Sequence, residues 1–211
     1  MKLFAINGSP KPTDSVSGAL IKCVEDVLQI RATVFQAIQL IGQDNASDAL
    51  SSICRADVLL IVFPLYVDSL PAPLIKALTM MEAAASRPLP RVYAICNCGF
   101  HEAAHITPAL RMIESFAQRC GMTWGYGVGI GAGGIIPAQK NLAKGMTANA
   151  HAALVELAEA IQNDRCGLKN VFITPKIPRW MYQIGGNLMW NRLAKEHGVK
   201  KDIRATPHLK N

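Results

Sequence analysis

The chain has 211 residues, 50% hydrophobic and 18% charged, a composition that excludes a disordered protein. This length predicts one domain of about 150 residues with a remainder of roughly 50. The net charge is +7, yet residues 1–164 are nearly neutral, with 12 basic and 13 acidic side chains. Residues 165–211 carry 10 basic and 2 acidic side chains, so an anionic partner would have to meet this C-terminal segment.

The start of the chain and its cysteines predict the compartment. Only four apolar residues follow Lys2, too few for a secretory signal. We therefore expect a cytoplasmic protein whose six cysteines are reduced thiols. The longest uncharged stretch, residues 120–139, holds seven glycines and predicts a strand with a glycine-rich loop rather than a membrane helix.

Apolar patterns predict strands and helices in alternation. The predicted strands cover residues 2–7, 33–40, 58–63, 91–97 and 123–129. The predicted helices lie near residues 20–28, 48–54, 71–81, 106–120 and 147–161, with Thr147 able to cap the last one. Five such units predict an α/β fold, a doubly wound five-stranded parallel sheet over residues 1–165. A basic, partly helical C-terminal extension follows over residues 166–211.

Binding sites of such sheets lie beyond the carboxyl ends of the strands. The first of these loops, residues 8–17, offers the hydroxyls of Ser9, Thr13, Ser15 and Ser17 together with Lys11. These donors, beside the free amides of a helix start, suit a terminal phosphate better than an ordinary capped turn. The loop lacks the glycine pattern of dinucleotide sites and the Gly-Lys-Ser/Thr of a P-loop.

The third and fourth predicted strands end in loops that carry aromatic residues. Tyr66 and Phe100 would be partly wet at these strand tips unless something covered them. A flat heteroaromatic ring between the two loops would explain both positions, with backbone amides at its polar edge.

Several motifs together resemble the flavodoxin-like NAD(P)H-dependent FMN reductases over residues 1–165. These motifs are Gly8-Ser9-Pro10-Lys11, Ser15-Val16-Ser17, Pro64-Leu65-Tyr66, Leu70-Pro71-Ala72-Pro73 and Cys98-Gly99-Phe100. The resemblance implies that Ser9, Lys11, Ser15 and Ser17 hold the FMN phosphate. It also implies two walls for the flavin ring, formed by Pro64, Leu65, Tyr66 and Val67 and by Asn97, Cys98, Gly99 and Phe100. Val16 stands where the family often has a polar residue, and Gly18 directly follows Ser17, so the comparison with the family implies one phosphate contact fewer and weaker retention of FMN.

Other chemistries find weaker support. The spacing of zinc ligands is found in Cys96, Cys98, His101 and His105. Because the same loop is assigned to the wall of the flavin ring, we expect no metal there. No compact four-cysteine motif indicates an iron–sulfur cluster, and no G-x-S-x-G indicates a hydrolase. The glycine-rich stretch 127–137 predicts either close access for a substrate or nicotinamide, a mobile lid, or a flexible connection.

The extension contains a predicted amphipathic helix with Trp180, Ile184, Leu188 and Trp190 among basic residues. Packing against the body or a second subunit is favoured over binding to an anionic membrane. Gly185-Gly186 interrupts the pattern, and no motif for nucleic-acid recognition is present, so we expect no nucleic-acid partner. The stripe predicts a homo-oligomer, most simply a dimer.

The resemblance implies an enzyme that passes electrons from NAD(P)H through bound FMN to a small acceptor: a quinone, a nitro compound or a flavin. The protein would supply phosphate anchoring and ring walls, and no catalytic side chain is required. Two alternatives stay open. One is an electron carrier of the flavodoxin type, although the nearly neutral body lacks the acidic face expected of such carriers. The other is a non-enzymatic flavin-binding or interaction protein.

Overall fold

A computed structural model describes residues 1–11, 13–42, 46–84, 89–139 and 141–199. Its centre is a parallel sheet in the order β2-β1-β3-β4-β5-β6. The strands are β1 (Leu3–Asn7), β2 (Thr33–Gln36), β3 (Val58–Pro64), β4 (Arg91–Asn97), β5 (Thr123–Ile130) and β6 (Val171–Ile173). The doubly wound parallel sheet predicted from the sequence is confirmed.

Helices cover both faces of the sheet. They are α1 (Val16–Leu28), α2 (Ala37–Leu40), α3 (Ala46–Cys54), α4 (Ala72–Ala84), α5 (Thr107–Arg119) and α6 (Ala148–Gln162). A further helix, α7 (Arg179–Glu196), lies in the C-terminal segment. Apolar residues of α1 and α6 pack on one face, and those of α2 to α5 on the other. The central strand β3 is buried through Phe63, because its continuous apolar run fills both layers.

Two strand predictions were wrong. The prediction of five strands missed β6, whose three residues pair with β5 from Val128↔Val171 to Ile130↔Ile173 and are too few to show a period. The strand predicted over residues 33–40 ends at Gln36, and α2 follows. The helical turn buries both Ala37 and Leu40, whereas Ile38 is exposed.

Thr147 stands at the N-cap position of α6, but its side chain does not cap the helix. Its buried hydroxyl donates to the carbonyl of Leu142 at 3.0 Å and approaches that of Lys144 at 3.4 Å. The residue therefore fixes the loop that leads into the helix, and the predicted cap was wrong.

The chain divides into two compact units, Met1–Lys176 and Ile177–Asn211. The second unit contains α7, which runs without interruption through Gly185 and Gly186. Its last turn holds the ion pair of Arg192 with Glu196 at 2.9 Å. Residues 200–211 of the expected extension lie outside the described residues. Among the helices that the structure describes, none combines the length and apolarity needed to cross a membrane.

Candidate functional site

The carboxyl ends of the parallel strands bring the predicted loops to one edge of the sheet. Register pairs Asn7 of β1 with Val62, Pro64 of β3 with Asn97, and Asn97 of β4 with Ile130. The loops after β1, β3, β4 and β5 therefore start from adjacent positions. This is where open α/β sheets bind ligands.

The loop after β1 folds back onto the start of α1 and forms a small cradle. Ser15 is the N-cap of α1, and its Oγ accepts from the amide of Gly18 at 3.0 Å. The hydroxyl of Ser9 accepts from the amide of Lys11 at 3.2 Å, while its own proton remains to be donated. Both serines are buried, so the loop presents hydroxyls fixed at a helix N-terminus rather than flexible side chains.

Ser17 carries the clearest sign of an external partner. Its side chain is 1% exposed, and its Oγ is buried without a hydrogen-bond partner. A buried hydroxyl left unpaired costs about 1–3 kcal/mol, so proteins rarely keep one without a reason. At the first turn of α1, beside the positive end of the helix dipole, a phosphate oxygen would satisfy it.

Lys11 lies in the same loop but its side chain is used locally. Its ammonium donates to the carbonyl of Asp14 at 3.2 Å, on an exposed part of the surface. Lys11 therefore brings positive charge to the loop, but its ammonium is not directed at a phosphate.

Gly8 lets this loop approach the sheet. Its amide donates to the carbonyl of Val62 at 2.8 Å. A Cβ at this position would lie 2.7 Å from Cβ of Phe63 and 2.9 Å from Cδ2 of Leu74. No side chain fits there, so the position requires glycine.

Asn7 is a residue that sequence reasoning missed. Its Oδ1 accepts from the amide of Ser9 at 3.0 Å, and its Nδ2 donates to Oγ of Ser15 at 3.1 Å. The side chain is 3% exposed and thus holds both ends of the cradle from below. The available signal was an asparagine at the end of a buried strand directly before Gly-Ser-Pro, a position typical of an Asx turn.

The first expected ring wall is a tight turn after β3. Tyr66 and Ser69 exchange backbone hydrogen bonds of 3.0 Å, with Val67 and Asp68 in the left-handed region at φ 49° and 55°. Tyr66 is 48% exposed and Val67 is 98% exposed. The amide of Leu65 is occupied by the carbonyl of Asn97 at 2.7 Å, so this turn is tied to the next strand.

The second expected wall follows β4. The buried side chain of Asn97 donates to the carbonyl of Phe63 at 3.3 Å, which joins the two walls. Gly99 has open space where a Cβ would stand, and Phe100 is 53% exposed with its ring centroid 4.5 Å from that of His105. The two walls thus form an open ledge with exposed aromatic rings, and the cradle borders this ledge on one side.

Cys96 and Cys98 both point into the core beneath this ledge. Burial raises the pKa of the Cys96 thiol well above its usual value, and the neighbouring Cys98 adds to this shift. Burial also raises the pKa of Cys98, whose thiol approaches the carbonyl of Phe100 at 3.5 Å. Among the described residues, no group of three or more His, Cys, Asp or Glu side chains could hold a metal ion.

At the glycines that follow the start of β5, neighbouring protein atoms occupy the space that a side chain would need. A Cβ at Gly129 would lie 2.8 Å from Cδ1 of Phe172, and one at Gly131 would clash with the carbonyl oxygen of His101. The amide of Gly131 also donates to Ile173 at 2.9 Å. Protein atoms occupy the space that the sequence left for a substrate, so these glycines serve the packing of β6 and of the loop after β4.

Solved structures share this fold. No protein-family profile matches the chain, and no curated protein matches its sequence. The apo form of the NADH:FMN oxidoreductase EMOB superposes with a TM-score of 0.57 at 16% identity, covering 79% of this chain and 91% of that one. An azoreductase from Bacillus anthracis str. Sterne gives 0.54 at 14% identity, covering 78% and 99%.

A third structure, an NADPH-quinone reductase from P. pentosaceus, gives a TM-score of 0.50 at 15% identity, covering 76% of this chain and 96% of that one. Together these likenesses confirm the predicted flavodoxin-like fold. The names of these neighbours are those of FMN, azo and quinone oxidoreductases, which agrees with the resemblance read from the sequence motifs.

Proposed function

We propose that this chain is a cytoplasmic, FMN-dependent oxidoreductase that moves electrons from NAD(P)H to a small aromatic acceptor. The observation that carries the proposal is the buried, unpaired hydroxyl of Ser17 at the first turn of α1. The oxidoreductase names of the structural neighbours support the same reading. FMN would supply the redox chemistry when bound, by taking hydride from the nicotinamide and passing electrons onward.

The residues of the cradle fit the phosphate of this cofactor. Ser17 and Ser9 have hydroxyl protons to donate, and Ser15 is held in place by Asn7. The start of α1 adds the positive end of its dipole. A terminal phosphate brings several acceptor oxygens for these hydroxyls, and because the Oγ of Ser17 is buried, its contact with phosphate requires a local shift of the loop.

The residues of the ledge would hold the ring and exclude water from one of its faces. The exposed rings of Tyr66 and Phe100 would lose contact with water when a flat ligand covers them. Exposed apolar side chains of Val67, Ile75 and Met112 lie in the adjoining turn and helices, with Met112 Sδ 3.6 Å from Oγ of Ser69. This apolar rim favours a flat, weakly polar acceptor such as a quinone or nitroaromatic compound.

No acid or base on the protein needs to act in this scheme. The thiols of Cys96 and Cys98 are buried and held protonated, so they stand outside the chemistry. The work of the chain is to bind, to orient and to keep one face of the ring dry. The site residues implied by the resemblance would fill these roles, except that Lys11 adds charge rather than a direct contact, and Asn7 is added as a positioning residue.

The absorbance spectrum of the freshly purified protein tests the proposal. We expect a flavin band in the blue region, present directly or after incubation with FMN and removal of excess ligand. NAD(P)H oxidation with a quinone acceptor then separates an enzyme from an electron carrier. A protein that takes up no FMN contradicts the proposal, and one that takes it up without oxidising NADH or NADPH is a carrier or a binding protein.

A further inference from the structure

Backbone strain is concentrated at the edge of the sheet that carries the candidate site. Six non-glycine residues that the structure describes have a positive φ, and four of them lie in loops at the carboxyl ends of the strands: Asp14, Val67, Asp68 and Ala132. The other two follow α1 and α6 at the opposite edge. Proteins keep strained residues mainly where binding or switching uses them, so these loops are the place to look for a function of the strain.

The turn after β3 is the most costly of these places. Tyr66 and Ser69 exchange backbone hydrogen bonds of 3.0 Å around Val67 and Asp68, which is the pattern of a type I′ turn. Such a turn favours Asn-Gly, because both of its central residues have a positive φ. Aspartate tolerates this conformation, but a β-branched valine rarely adopts it. Val67 is also 98% exposed, so its contacts within the described chain do not explain why valine stands there.

Asp68 brings a negative charge to the same turn. Burial is the largest cause of the raised pKa of the Cys98 thiol beneath the ledge, and the carboxylates of Glu102 and Asp68 add to that shift. Both carboxylates therefore lie near the ledge. Oε1 of Glu102 lies 3.9 Å from Nδ1 of His101, whereas the part of the chain that the structure describes offers the carboxylate of Asp68 no hydrogen-bond or ion-pair partner.

The cations of the adjoining elements leave this charge in place. Lys76 and Arg111 are the fifth residues of α4 and α5, the helices that follow the two walls. At 1.5 Å per residue each stands about 6 Å along its helix from the start, and neither forms an ion pair with Asp68. The ammonium of Lys11 is held by the carbonyl of Asp14 in the cradle. An unpaired carboxylate repels an anion over several ångströms, with a strength that salt reduces.

We propose that Val67 and Asp68 determine which acceptor the site takes: an uncharged, apolar aromatic ring rather than a ring that carries a negative charge. Val67 contacts the acceptor, and the carboxylate of Asp68 repels an anionic substituent on it. This inference rests on the proposed function, which places the acceptor on the ledge. It gives a reason for Val-Asp in a turn that Asn-Gly would form with less strain.

The test compares two quinones that share a ring system and differ in charge. Lawsone is a hydroxynaphthoquinone that is an anion at neutral pH, and its methyl ether is uncharged. Their dissociation constants are measured by equilibrium dialysis on FMN-loaded and on flavin-free protein, so the result does not depend on turnover. Asp68→Asn removes the charge and keeps a residue that tolerates a positive φ. Glu156→Gln removes an exposed carboxylate on α6, about 12 Å along that helix from its start, and is the matched control.

We expect the wild-type protein to bind the methyl ether more tightly than lawsone, and this preference to fall about three- to tenfold in Asp68→Asn. The wild-type preference should also shrink between about 20 and 500 mM salt, because salt screens exposed charges. Glu156→Gln should keep the wild-type preference. Val67→Asn should raise the Tm of the flavin-free protein, because asparagine accepts a positive φ, and should weaken the binding of both quinones by a similar factor.

Three results would overturn the inference: an unchanged preference in Asp68→Asn, an equal change in Glu156→Gln, or wild-type binding of both quinones by Val67→Asn. A wild-type protein that binds neither quinone would overturn it as well. If any of these comes with FMN uptake and NADH oxidation, the proposed function stands. If the protein takes up no FMN, yet the flavin-free protein prefers the methyl ether and Asp68→Asn loses that preference, the proposed function fails and the selectivity of the ledge remains.

Discussion

Ser17 is the residue at which stability and binding pull in opposite directions. Because its hydroxyl is buried and unpaired, Ser17→Ala should leave the Tm of the flavin-free protein unchanged or raise it. The same change removes one charge-assisted hydrogen bond to phosphate, worth roughly 1.5–3 kcal/mol, so FMN should bind about 10- to 150-fold more weakly. Thermal melts without flavin and FMN titrations measure the two effects separately.

Ser17→Asp sharpens this test by placing a carboxylate against the phosphate, and it should abolish FMN retention. Unchanged FMN affinity in both variants would mean that the phosphate lies elsewhere. A loss of Tm in flavin-free Ser17→Ala would mean that the hydroxyl has a structural role.

Asn7 allows a prediction with a defined pH dependence. Asn7 lies beneath the cradle, and its side-chain amide donates to Oγ of Ser15. Asn7→Asp replaces this amide with a carboxylate. At neutral pH the added charge should repel the phosphate and weaken FMN binding by at least tenfold. As the pH falls through the pKa of the new carboxyl, protonation removes the charge, so the affinity relative to wild type should recover. FMN titrations of both proteins between pH 4.5 and 8 check this, and a constant ratio across the range would contradict it.

The residues of the site differ in how far the sequence could predict them. Ser9, Ser15 and Ser17 could be selected from the sequence because they are hydroxyls clustered before a helix, and the structure buries all three at the start of α1, while their contact with a phosphate stays a prediction. Asn7 was not, because one polar residue at a strand end does not show which side chains it will meet after the chain turns. Lys11 was assigned by its charge alone, while the structure turns its ammonium toward the carbonyl of Asp14.

Among the elements, β5 and β6 depend on a glycine. Gly129→Ala would place a Cβ 2.8 Å from Phe172 and 3.2 Å from Ile106, and such overpacking costs roughly 1–3 kcal/mol. We expect a lower Tm and faster hydrogen exchange in β6. Adding Phe172→Ala should restore much of the loss, because it removes the atoms that clash.

Gly42→Ala is the matched control for this prediction, since a Cβ there would meet only a carbonyl oxygen at 3.9 Å. If Gly129→Ala is as stable as Gly42→Ala, β5 accommodates the added methyl group and the prediction is wrong. If Phe172→Ala brings no recovery, the strain arises from another neighbour.

The segment after β4 carries the prediction about metals. We expect no stoichiometric zinc or iron, because the buried thiols of Cys96 and Cys98 face the core while residues 97–100 are assigned to the ring wall. Elemental analysis of protein purified without chelator or affinity tag measures this. A full equivalent of metal that disappears when both cysteines are replaced would establish a metal site instead.

Local patterns predict long elements well and short ones poorly. The sequences of α5 and α6 repeat the helical period often enough to predict their type and position, and β3 is predictable from its continuous apolar run. Four residues of α2 and three of β6 show no full period, and their conformation is decided by what they pack against: the sheet face for Ala37 and Leu40, and β5 for Val171. The glycines of β5 resemble those of a loop in sequence. In the structure they are required because the side chains of Leu110 and Phe172 occupy the space that a Cβ would need.

At the scale of the whole molecule, charge and apolar surface are concentrated in the C-terminal segment. The net charge of residues 165–211 exceeds that of the entire chain. Within its own unit, α7 leaves Trp180, Leu188 and Trp190 more than half exposed. A helix with apolar side chains around so much of its surface is normally buried against another element.

The last prediction is that this segment packs in a homodimer. Burying each large side chain contributes roughly 1.5–3 kcal/mol, which is enough to offset the ordering of a helix. Truncation before Ile177 should therefore lower the Tm and shift the mass from dimer to monomer in light scattering. Because basic side chains accompany the apolar ones, the truncation should also raise the KM for NADPH if their field attracts the anionic dinucleotide. The prediction fails if the truncated chain keeps the oligomeric state and the Tm of the intact chain. If the intact chain also floats with anionic liposomes, α7 is a membrane-surface anchor instead.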